Sequence, residues 1–417
     1  MKSERKFSTN PSRFARQDRF EFLEQALRSK ARDWIEEMMN EELDAALGIE
    51  RYGRGEKRKG YRKGARSRTF TARTGAHKIK MPRGEFFEAG EDGGKAWHSR
   101  ILPPWQRRSE AVEQAVMMCY LSGTNTRKVR KALAPLLEDA SLGRSTVSRI
   151  AQRLTGEFNT WRGRDLSGEE IVMVFLDAFN LKIRLGGRVE SIPVLSAIGV
   201  CADGRRLFLI LDVRTSESEA AWLAITEDLS RRALQAPVLA VIDGCKGLRR
   251  AVRRTWPRIE VQRCTKHKLE NLETHAPKRL HGEIKADWHA IIYAGGESEA
   301  RLAMKRFEGK WSKRCPGVVK SLREAGDELL TFYKYPESMW KMLRTTNGIE
   351  RLNEEFRRRV KTQGSFPNVD AGLKVCYGLL AGGFAVLRRI DGWRELPRAV
   401  QTARLRQGTL KTVDNIA

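Results

Sequence analysis

Three carboxylates in this sequence occupy positions from which they could bind metal ions for phosphoryl transfer. Asp177 follows the apolar run 171–176. Asp243 follows the apolar run 238–242, and Glu350 lies at the start of a helical pattern. A carboxylate at a buried strand costs free energy unless it is paired, hydrogen-bonded or bound to a metal. Together the three could hold two Mg²⁺ ions, or Mn²⁺ as a substitute, which would activate an attacking oxygen and stabilise a leaving one.

Each of these carboxylates could also have a role that is not catalytic. Asp177 could face solvent from a strand, although its apolar neighbours disfavour this. Asp243 could form an ordinary Asp-Gly turn, and Glu350 shares its helix with two other glutamates that could replace it. Asp212 also follows a strand-like run, but we expect that strand to pair antiparallel and do not assign Asp212 to the site.

The composition indicates a basic protein that binds a polyanion. The 417 residues carry a formal net charge of +27, with a sequence pI of 10.2 and a mean hydropathy of −0.52. Such charge favours nucleic acid through counterion release, although a ribosome-associated or merely cationic protein stays an alternative.

No apolar run approaches the roughly 20 residues of a membrane span. The N-terminus lacks a signal-peptide pattern, and the six cysteines form no C-x-x-C, so we expect reduced thiols and a cytoplasmic protein.

A strongly basic run covers residues 51–83, with thirteen Lys or Arg and one acid, Glu56. Aromatic residues are interleaved with the basic ones, and this combination favours nucleic-acid contact over a merely solvated face. The apolar periodicity of residues 19–47 predicts a helix before this run. The alternation of residues 68–81 predicts a hairpin around Gly75.

A helix-turn-helix is predicted between residues 123 and 150. The first helix would begin near Thr124 or Asn125, and the second would be capped at Ser145. Thr146, Ser148 and Arg149 would then be exposed at the start of the second helix, where base edges are read. Short helical pairs are common, so the alternative is an ordinary helical hairpin.

From residue 171 the pattern predicts strands 171–185, 190–201 and 206–213, then a helix, strand 237–242, a helix and strand 259–263. Three antiparallel strands followed by helix, strand, helix and strand is the order of the RNase H-like fold. Residues 268–340 have helical spacings and are expected to form an insertion outside the sheet. A helix from 347 to 360 would then return Glu350 to the two aspartates.

Several further residues could support such a site. Cys264 and His267 form a C-x-x-H, which is half of a zinc site, but no second pair has matching spacing. We expect Cys264 and His267 to have a packing role or to orient the substrate, rather than to bind zinc. Trp222 is expected in the core, with base stacking as the alternative.

The sequence resembles Mutator-type transposases of bacterial insertion sequences, over about residues 40–395. The segments that carry the resemblance are Leu47-Gly-Ile-Glu-Arg-Tyr52, Gly60-Tyr-Arg-Lys-Gly64, Tyr120-Leu-Ser-Gly-Thr-Asn-Thr-Arg127, Ser145-Thr-Val-Ser-Arg-Ile150, Ser216-Glu-Ser-Glu-Ala-Ala-Trp222, Asp243-Gly-Cys-Lys-Gly-Leu248, Val261-Gln-Arg-Cys-Thr-Lys-His-Lys268 and Arg344-Thr-Thr-Asn-Gly-Ile-Glu-Arg351. The resemblance implies a DDE enzyme whose metal ligands are Asp177, Asp243 and Glu350. Ala178 departs from the family pattern, which often has glycine there.

The resemblance implies an enzyme that binds the terminal inverted repeats of its element and catalyses Mg-dependent cleavage and strand transfer. Its expected partners are double-stranded DNA, both element ends and target, and a second copy of itself in at least a homodimer; no membrane is expected. Two alternatives stay open. One is an RNase H-like nuclease or resolvase without strand transfer, and the other is a domesticated DNA-binding regulator.

The predicted architecture is multidomain α+β, with five regions. They are a basic helical and hairpin DNA-binding region (1–100), a helix-turn-helix domain (101–165), the first part of an RNase H-like core (166–267), a helical insertion (268–340), and the core helix with a basic C-terminal region (341–417). The expected DNA-contacting residues are Lys57, Arg58, Lys59, Arg62, Lys63, Arg66, Arg68, Arg127, Arg144, Ser145, Thr146, Ser148, Arg149, Arg351, Arg357, Arg358 and Lys361.

Overall fold

The structure is a computed structural model that describes residues 16–53, 58–87, 94–121, 129, 133, 144–361, 364–383 and 387–408. The chain forms two compact units, Met1–Gln152 and Arg153–Ala417. The two units contain helices and one β-sheet each, which confirms the predicted mixed α+β class. Among the described residues, no helix is both long enough and apolar enough to cross a membrane.

The first unit packs a long helix on a hairpin. Helix α1 (Arg16–Leu47) contacts strand β2 (Gly75–Phe86), which pairs antiparallel with β1 (Gly60–Ala72). Gly75 has a φ of +104°, which allows the chain to reverse there. The hairpin around Gly75 agrees with the sequence prediction, but β1 extends back to Gly60. Its small core consists of Met39, Phe70, Ile79 and Leu102.

Two further helices bear on the predicted helix-turn-helix. They are α2 (Glu110–Leu121) and α3 (Arg144–Arg162), and the boundary between the two units falls inside α3. The second predicted helix corresponds to the first turns of α3. The first predicted helix, 123–133 with its cap near Thr124 or Asn125, lies outside the described residues except at 129 and 133.

The second unit is organised by a sheet in the spatial order β5-β4-β3-β6-β7. The strands are β3 (Ile171–Leu185), β4 (Arg188–Cys201), β5 (Arg206–Val213), β6 (Leu239–Ile242) and β7 (Glu260–Arg263). The pairs β3–β4 and β4–β5 are antiparallel, whereas β3–β6 and β6–β7 are parallel. The central strands β3 and β6 therefore run in the same direction.

Helices α4 (Glu219–Arg231) and α5 (Lys246–Thr255) cover one face of this sheet. Alternate residues of β3, such as Val174 and Leu176, pack in the same buried cluster as Trp222 of α4. Since successive strand residues point to opposite faces, the intervening residues of β3 face the other side.

The chain between β7 and the last helices is helical throughout. Its α-helices are α6 (Thr265–Thr274), α7 (His281–Ile292), α8 (Glu297–Arg314), α9 (Pro316–Ala325) and α10 (Glu337–Leu343). Trp288, Phe307 and Trp311 are fully buried among them, and the Nε1 of Trp311 donates to Asp287 Oδ2 at 2.8 Å. This segment covers the predicted insertion 268–340 and adds no strand to the sheet.

The helical segment is joined to the sheet by buried charges. The side chains of Arg263 in β7 and Lys268 in α6 are both 3% exposed. Both bind Glu324 of α9, with N–O distances of 3.3 Å and 3.2 Å. The two buried cations therefore share the partly exposed Glu324 carboxylate, and Arg263 also lies 4.0 Å from Glu328.

Helices α11 (Asn347–Lys361) and α12 (Val369–Ala381) pack on the second face of the sheet, and α13 (Leu396–Arg406) follows near the C-terminus. The rings of Phe179 in β3 and Phe356 in α11 are 5.4 Å apart. Asp177 is two residues from Phe179 on the same strand, so its side chain also faces α11.

Candidate active site

Asp177 lies on β3, and Asp243 directly follows β6, the adjacent parallel strand. Phe175 of β3 is registered with Val241 of β6, and the same register two residues later places Asp177 beside Asp243. Asp177 is 7% exposed, and Asp243 is partly buried just after the end of β6. The Oδ1 of Asp243 accepts a hydrogen bond from the backbone N–H of Cys245 at 2.9 Å. The sheet thus brings together two carboxylates that are 66 positions apart in the sequence.

The Asp177 carboxyl is in an environment that disfavours its charge. Burial and, to a lesser extent, the charge of Asp243 raise its pKa to about 6, against the hydrogen bond from Asn353. The pKa of Glu217 is also raised, by desolvation and by the charge of Asp243. A cation among these carboxylates would favour their ionised forms.

Asn353 connects Asp177 to helix α11. Its Nδ2 donates to Asp177 Oδ2 at 2.8 Å, and Asn353 itself is completely buried. The hydroxyl of Ser196 in β4 donates to the backbone carbonyl of Asp177 at 3.0 Å. Sequence reasoning missed both residues. The available signal was a polar residue at position 353, three after Glu350, between the apolar residues Leu352 and Phe356.

Glu350 lies in the first turn of α11 and is held by two donors. Lys266 Nζ donates to Glu350 Oε2 at 2.7 Å, and Thr346 Oγ1 donates to Oε1 at 2.6 Å. Burial alone would raise the pKa of Glu350, but these hydrogen bonds and the charge of His267 lower it below its ordinary value. Glu350 is therefore ionised at neutral pH.

Cys264 and His267 lie beside Glu350. The Nδ1 of His267 is 3.8 Å from Glu350 Oε1, and donor atoms of Cys264, His267 and Glu350 lie within 4.8 Å of one another. Interaction with the Cys264 thiol, opposed by burial, raises the pKa of His267 to about 9, and the charges of Glu350 and Asp177 contribute in the same direction. His267 thus interacts with both Glu350 and Asp177.

The donor atoms of this site form two chemical sets. Asp177 and Asp243 offer hard carboxylate oxygens, which suit Mg²⁺. Cys264 and His267 offer sulfur and nitrogen, which suit Zn²⁺ better. Glu350 could serve either set. The pair of Asp177 and Asp243 fits a divalent cation, since a cation would offset the burial and the neighbouring charge that raise the pKa of Asp177.

The sequence model of the family described as "Transposase, Mutator family" matches residues 3–383. The chain belongs to the Mutator family of transposases. This confirms the resemblance inferred from the sequence motifs.

Individual relatives agree with this assignment. The transposase for insertion sequence element ISRM5 of Rhizobium meliloti is 31% identical over 91% of this chain and 92% of its own length. The transposase for insertion sequence element IS406 of Burkholderia multivorans is 34% identical over 83% of this chain and 87% of its own. A chain of the solved Drosophila P element transposase strand transfer complex matches over 73% of this chain and 86% of its own length, at 10% sequence identity. Its TM-score of 0.28 does not indicate a shared fold.

In this transposase, the predicted DNA-contacting residues of the hairpin fall into two groups. Arg58, Lys59, Lys63 and Arg66 are exposed, although Lys63 pairs with Glu85 and Arg58 donates to the Gly60 carbonyl. Arg62 pairs with Asp44 of α1, and Arg68 donates to the backbone carbonyls of Pro103, Pro104 and Gln106. These two guanidiniums are therefore engaged inside the first unit. Lys57 lies outside the described residues.

The expected exposure of Thr146 at the start of the second predicted helix is wrong. Thr146 is 7% exposed, whereas Ser148 and Arg149 are exposed. Thr146 therefore lies on a covered side of α3, whereas Ser148 and Arg149 lie on an accessible side. The side chains of Arg144 and Ser145, and all of Arg127, lie outside the described part of the structure.

The basic residues after Glu350 are on the solvent side of α11. Arg351, Arg357, Arg358 and Lys361 are all exposed. Of these, Arg358 pairs with Glu355 at 2.5 Å. The exposed positions form a cationic surface on the helix that also carries Glu350.

Trp222 and Asp212 lie away from the carboxylate cluster. Trp222 is 1% exposed in the core beneath α4, which is the position expected of a packing residue. Asp212 is bound by Arg162 and Arg214, each at 2.6 Å. Both of its oxygens are thus engaged in ion pairs.

Proposed function

We propose that this protein is a DDE-type DNA transposase that binds the terminal inverted repeats of its insertion sequence and catalyses Mg²⁺-dependent DNA cleavage and strand transfer. The observation that carries this proposal is the meeting of Asp177, Asp243 and the α11 segment 350–353. Three distant parts of the chain converge there, in a basic protein of the Mutator family.

The proposed catalytic core has the RNase H-like fold, interrupted by the helical segment between β7 and α11. The order β5-β4-β3-β6-β7, with the first three strands antiparallel and the last two parallel to β3, supports this proposal. In this arrangement the insertion returns the chain so that α11 packs against β3 and carries Glu350 toward the aspartates.

Asp177, Asp243 and Glu350 are the proposed ligands of two Mg²⁺ ions, for which Mn²⁺ can substitute. When bound, such ions activate the attacking oxygen and stabilise the leaving oxygen of an in-line phosphoryl transfer. Asn353 orients the Asp177 carboxylate through its amide. Lys266 and Thr346 hold Glu350 ionised and oriented. Cys264 and His267 are proposed to support this geometry, because His267 contacts Glu350 and interacts with Asp177.

DNA ends are proposed to bind through the N-terminal region, up to about residue 165. Arg58, Lys59, Lys63 and Arg66 of the exposed hairpin surface suit phosphate contacts, which provide affinity without sequence information. Ser148 and Arg149, in the proposed second helix of a helix-turn-helix, suit base contacts. Because two ends must be brought together, we propose at least a homodimer that acts on chromosomal DNA in the cytoplasm.

A strand-transfer assay tests the proposal against its rivals. Purified protein, Mg²⁺, a labelled duplex carrying one of the inverted repeats that flank the gene, and a supercoiled plasmid are incubated together. We expect joined products in which the labelled strand is covalently attached to plasmid. Nicking without joining would indicate a nuclease or resolvase, and binding without nicking would indicate a regulator.

A further inference from the structure

A cleft of about 610 Å³ lies in the second unit on the flank of α11 that faces away from Glu350. We call it the basic cleft, because its rim carries Arg206, Lys341, Arg351, Arg388 and Arg389. These cations come from β5, α10, α11 and the segment before α13. The cleft is thus built by four separate parts of the chain.

The position of the basic cleft follows from the sheet order. Its floor includes Phe175 of β3 and Ile198 of β4, and its rim includes Arg206 of β5. The carboxylates instead lie on the β3 and β6 side, next to α6. Helix α11 lies between the two, with Glu350 on one flank and Arg351 on the other.

The positive charge of the basic cleft exceeds its negative charge. Its acidic residues are Glu355 and Asp391, and Glu355 is already paired with Arg358. Lys341, Arg351 and Arg388 form no ion pair with any carboxylate of the described residues. Burial lowers the pKa of Arg206, against the charge of Asp391, and the nearby charge of Arg351 also lowers it. Like charges held this close favour an anionic ligand.

We propose that the basic cleft binds the phosphodiester backbone of DNA at phosphates other than the scissile one. This inference rests on the proposed function, because the basic cleft would supply a second DNA-binding path beside the catalytic carboxylates. Five cations against two acidic residues suit a polyanion better than a single phosphate ion. An apolar floor that includes Ile349 and Ile390 beneath a charged rim suits the sugar and base edges of a strand whose phosphates face the rim.

The test compares two triple variants of the full-length protein. The first removes the rim cations without an internal partner, Lys341→Ala, Arg351→Ala and Arg388→Ala. The control removes three exposed cations elsewhere in the second unit, Arg254→Ala, Lys320→Ala and Arg398→Ala. Both triple variants lose three positive charges, so a difference in DNA binding between them depends on where those charges lie. All six positions are exposed, and thermal melts verify folding.

Binding to a fluorescent random-sequence 40-base-pair duplex is measured at several salt concentrations without divalent metal. Each lost phosphate contact should reduce the slope of log K against log salt by about 0.9. We expect a reduction of about 2–3 for the cleft variant, and a much smaller one for the control. Equal slopes for the two variants would overturn the proposal, even if the wild type binds and cleaves DNA. Failure of the wild type to bind DNA at all would instead reject the proposed function.

A photocrosslinking residue at position 341 provides a second measurement. We expect a crosslink to the duplex that excess deoxyadenosine monophosphate or inorganic phosphate does not suppress. Suppression by either small anion would assign the cleft to a free phosphate compound and reject the DNA assignment. The absence of any crosslink, together with equal salt slopes, would exclude this path.

Discussion

The amide nitrogen of Asn353 lies 2.8 Å from a carboxylate oxygen of Asp177, although 176 positions separate the two residues. This hydrogen bond joins α11 to the central strand β3. Since Glu350 is only three residues from Asn353, the same bond fixes the segment that carries the third carboxylate. We regard Asn353 as a positioning residue of the proposed site.

Replacement of Asn353 by alanine should reduce DNA cleavage by about 10–100-fold, the usual effect of losing a residue that orients a metal ligand. The Mg²⁺ concentration for half-maximal rate should rise, because Asp177 would no longer be oriented. DNA binding in Ca²⁺ should stay near wild type. The comparison variant is Ser196→Ala, which removes a hydrogen bond to the Asp177 backbone and a longer one, of 3.5 Å, to Asn353 Oδ1, but none to the Asp177 carboxylate. An unchanged Mg²⁺ dependence in Asn353→Ala would show that its role is packing alone.

Alanine at Asp177, Asp243 or Glu350 should abolish cleavage and joining while DNA-end binding stays nearly intact. The physical reason is that metal ligands act in the chemical step, whereas affinity comes from basic contacts. Gel-shift and strand-transfer assays on the same preparations measure both. Near-wild-type joining by any one variant in Mg²⁺ would remove that residue from the site.

Replacement of Mg²⁺ by Ca²⁺ should preserve binding and stop chemistry, because Ca²⁺ accepts looser, larger coordination shells. Mn²⁺ should restore cleavage. The measurement is cleavage and binding of one labelled end duplex in each metal after dialysis against chelator. Efficient joining in Ca²⁺, or in chelator, would contradict a Mg²⁺-type site.

Much of the proposed site could be predicted from the sequence because its residues interrupt strong patterns. Asp177 and Asp243 follow apolar runs that specify strands, and parallel pairing of those strands places them together. Asn353 and Lys266 could not be assigned in the same way. Their contacts depend on how α11 and α6 pack against the sheet, which no local pattern encodes.

Surface residues were harder to predict than strand residues. Exposed and internally paired arginines have the same sequence signature; Arg62 is held by Asp44 and Asn40 of α1, whereas Arg66 is exposed. Thr146 was expected to be exposed because of its position at the start of the second predicted helix, but its side chain is buried. Whether such a side chain is exposed depends on its direction on the helix and on what packs against that side of the helix.

The buried cations Arg263 and Lys268 should make stability depend on Glu324. We expect Glu324→Gln to lower the free energy of unfolding by about 1–3 kcal/mol at pH 7, since two buried cations lose a charged acceptor. The matched control is Glu308→Gln, whose partner Arg323 is exposed, with an expected effect below about 1 kcal/mol. Urea titrations measure both, and equal effects would contradict a special role for the buried pair.

The same carboxylate predicts a pH dependence. Burial would raise the pKa of Glu324, but Arg263 and Lys268 outweigh it and lower the pKa below 4.5. A lower pKa in the folded state means that the contribution to stability is present above the unfolded pKa and is lost as the pH falls through the folded value. The difference in unfolding free energy between wild type and Glu324→Gln should therefore shrink below about pH 4.5. A difference that stays constant down to pH 3 would reject this linkage.

The buried and the exposed sides of the first turns of α3 should respond differently to substitution. Arg149→Ala should reduce the preference for element ends over random DNA, by about 1–3 kcal/mol if it contacts a base edge. Thr146→Ala should leave that preference unchanged and instead lower the melting temperature, because Thr146 is buried. Competition binding with end and random duplexes, together with thermal melts, distinguishes the two outcomes. A loss of discrimination in Thr146→Ala without loss of stability would show that Thr146 becomes exposed on DNA.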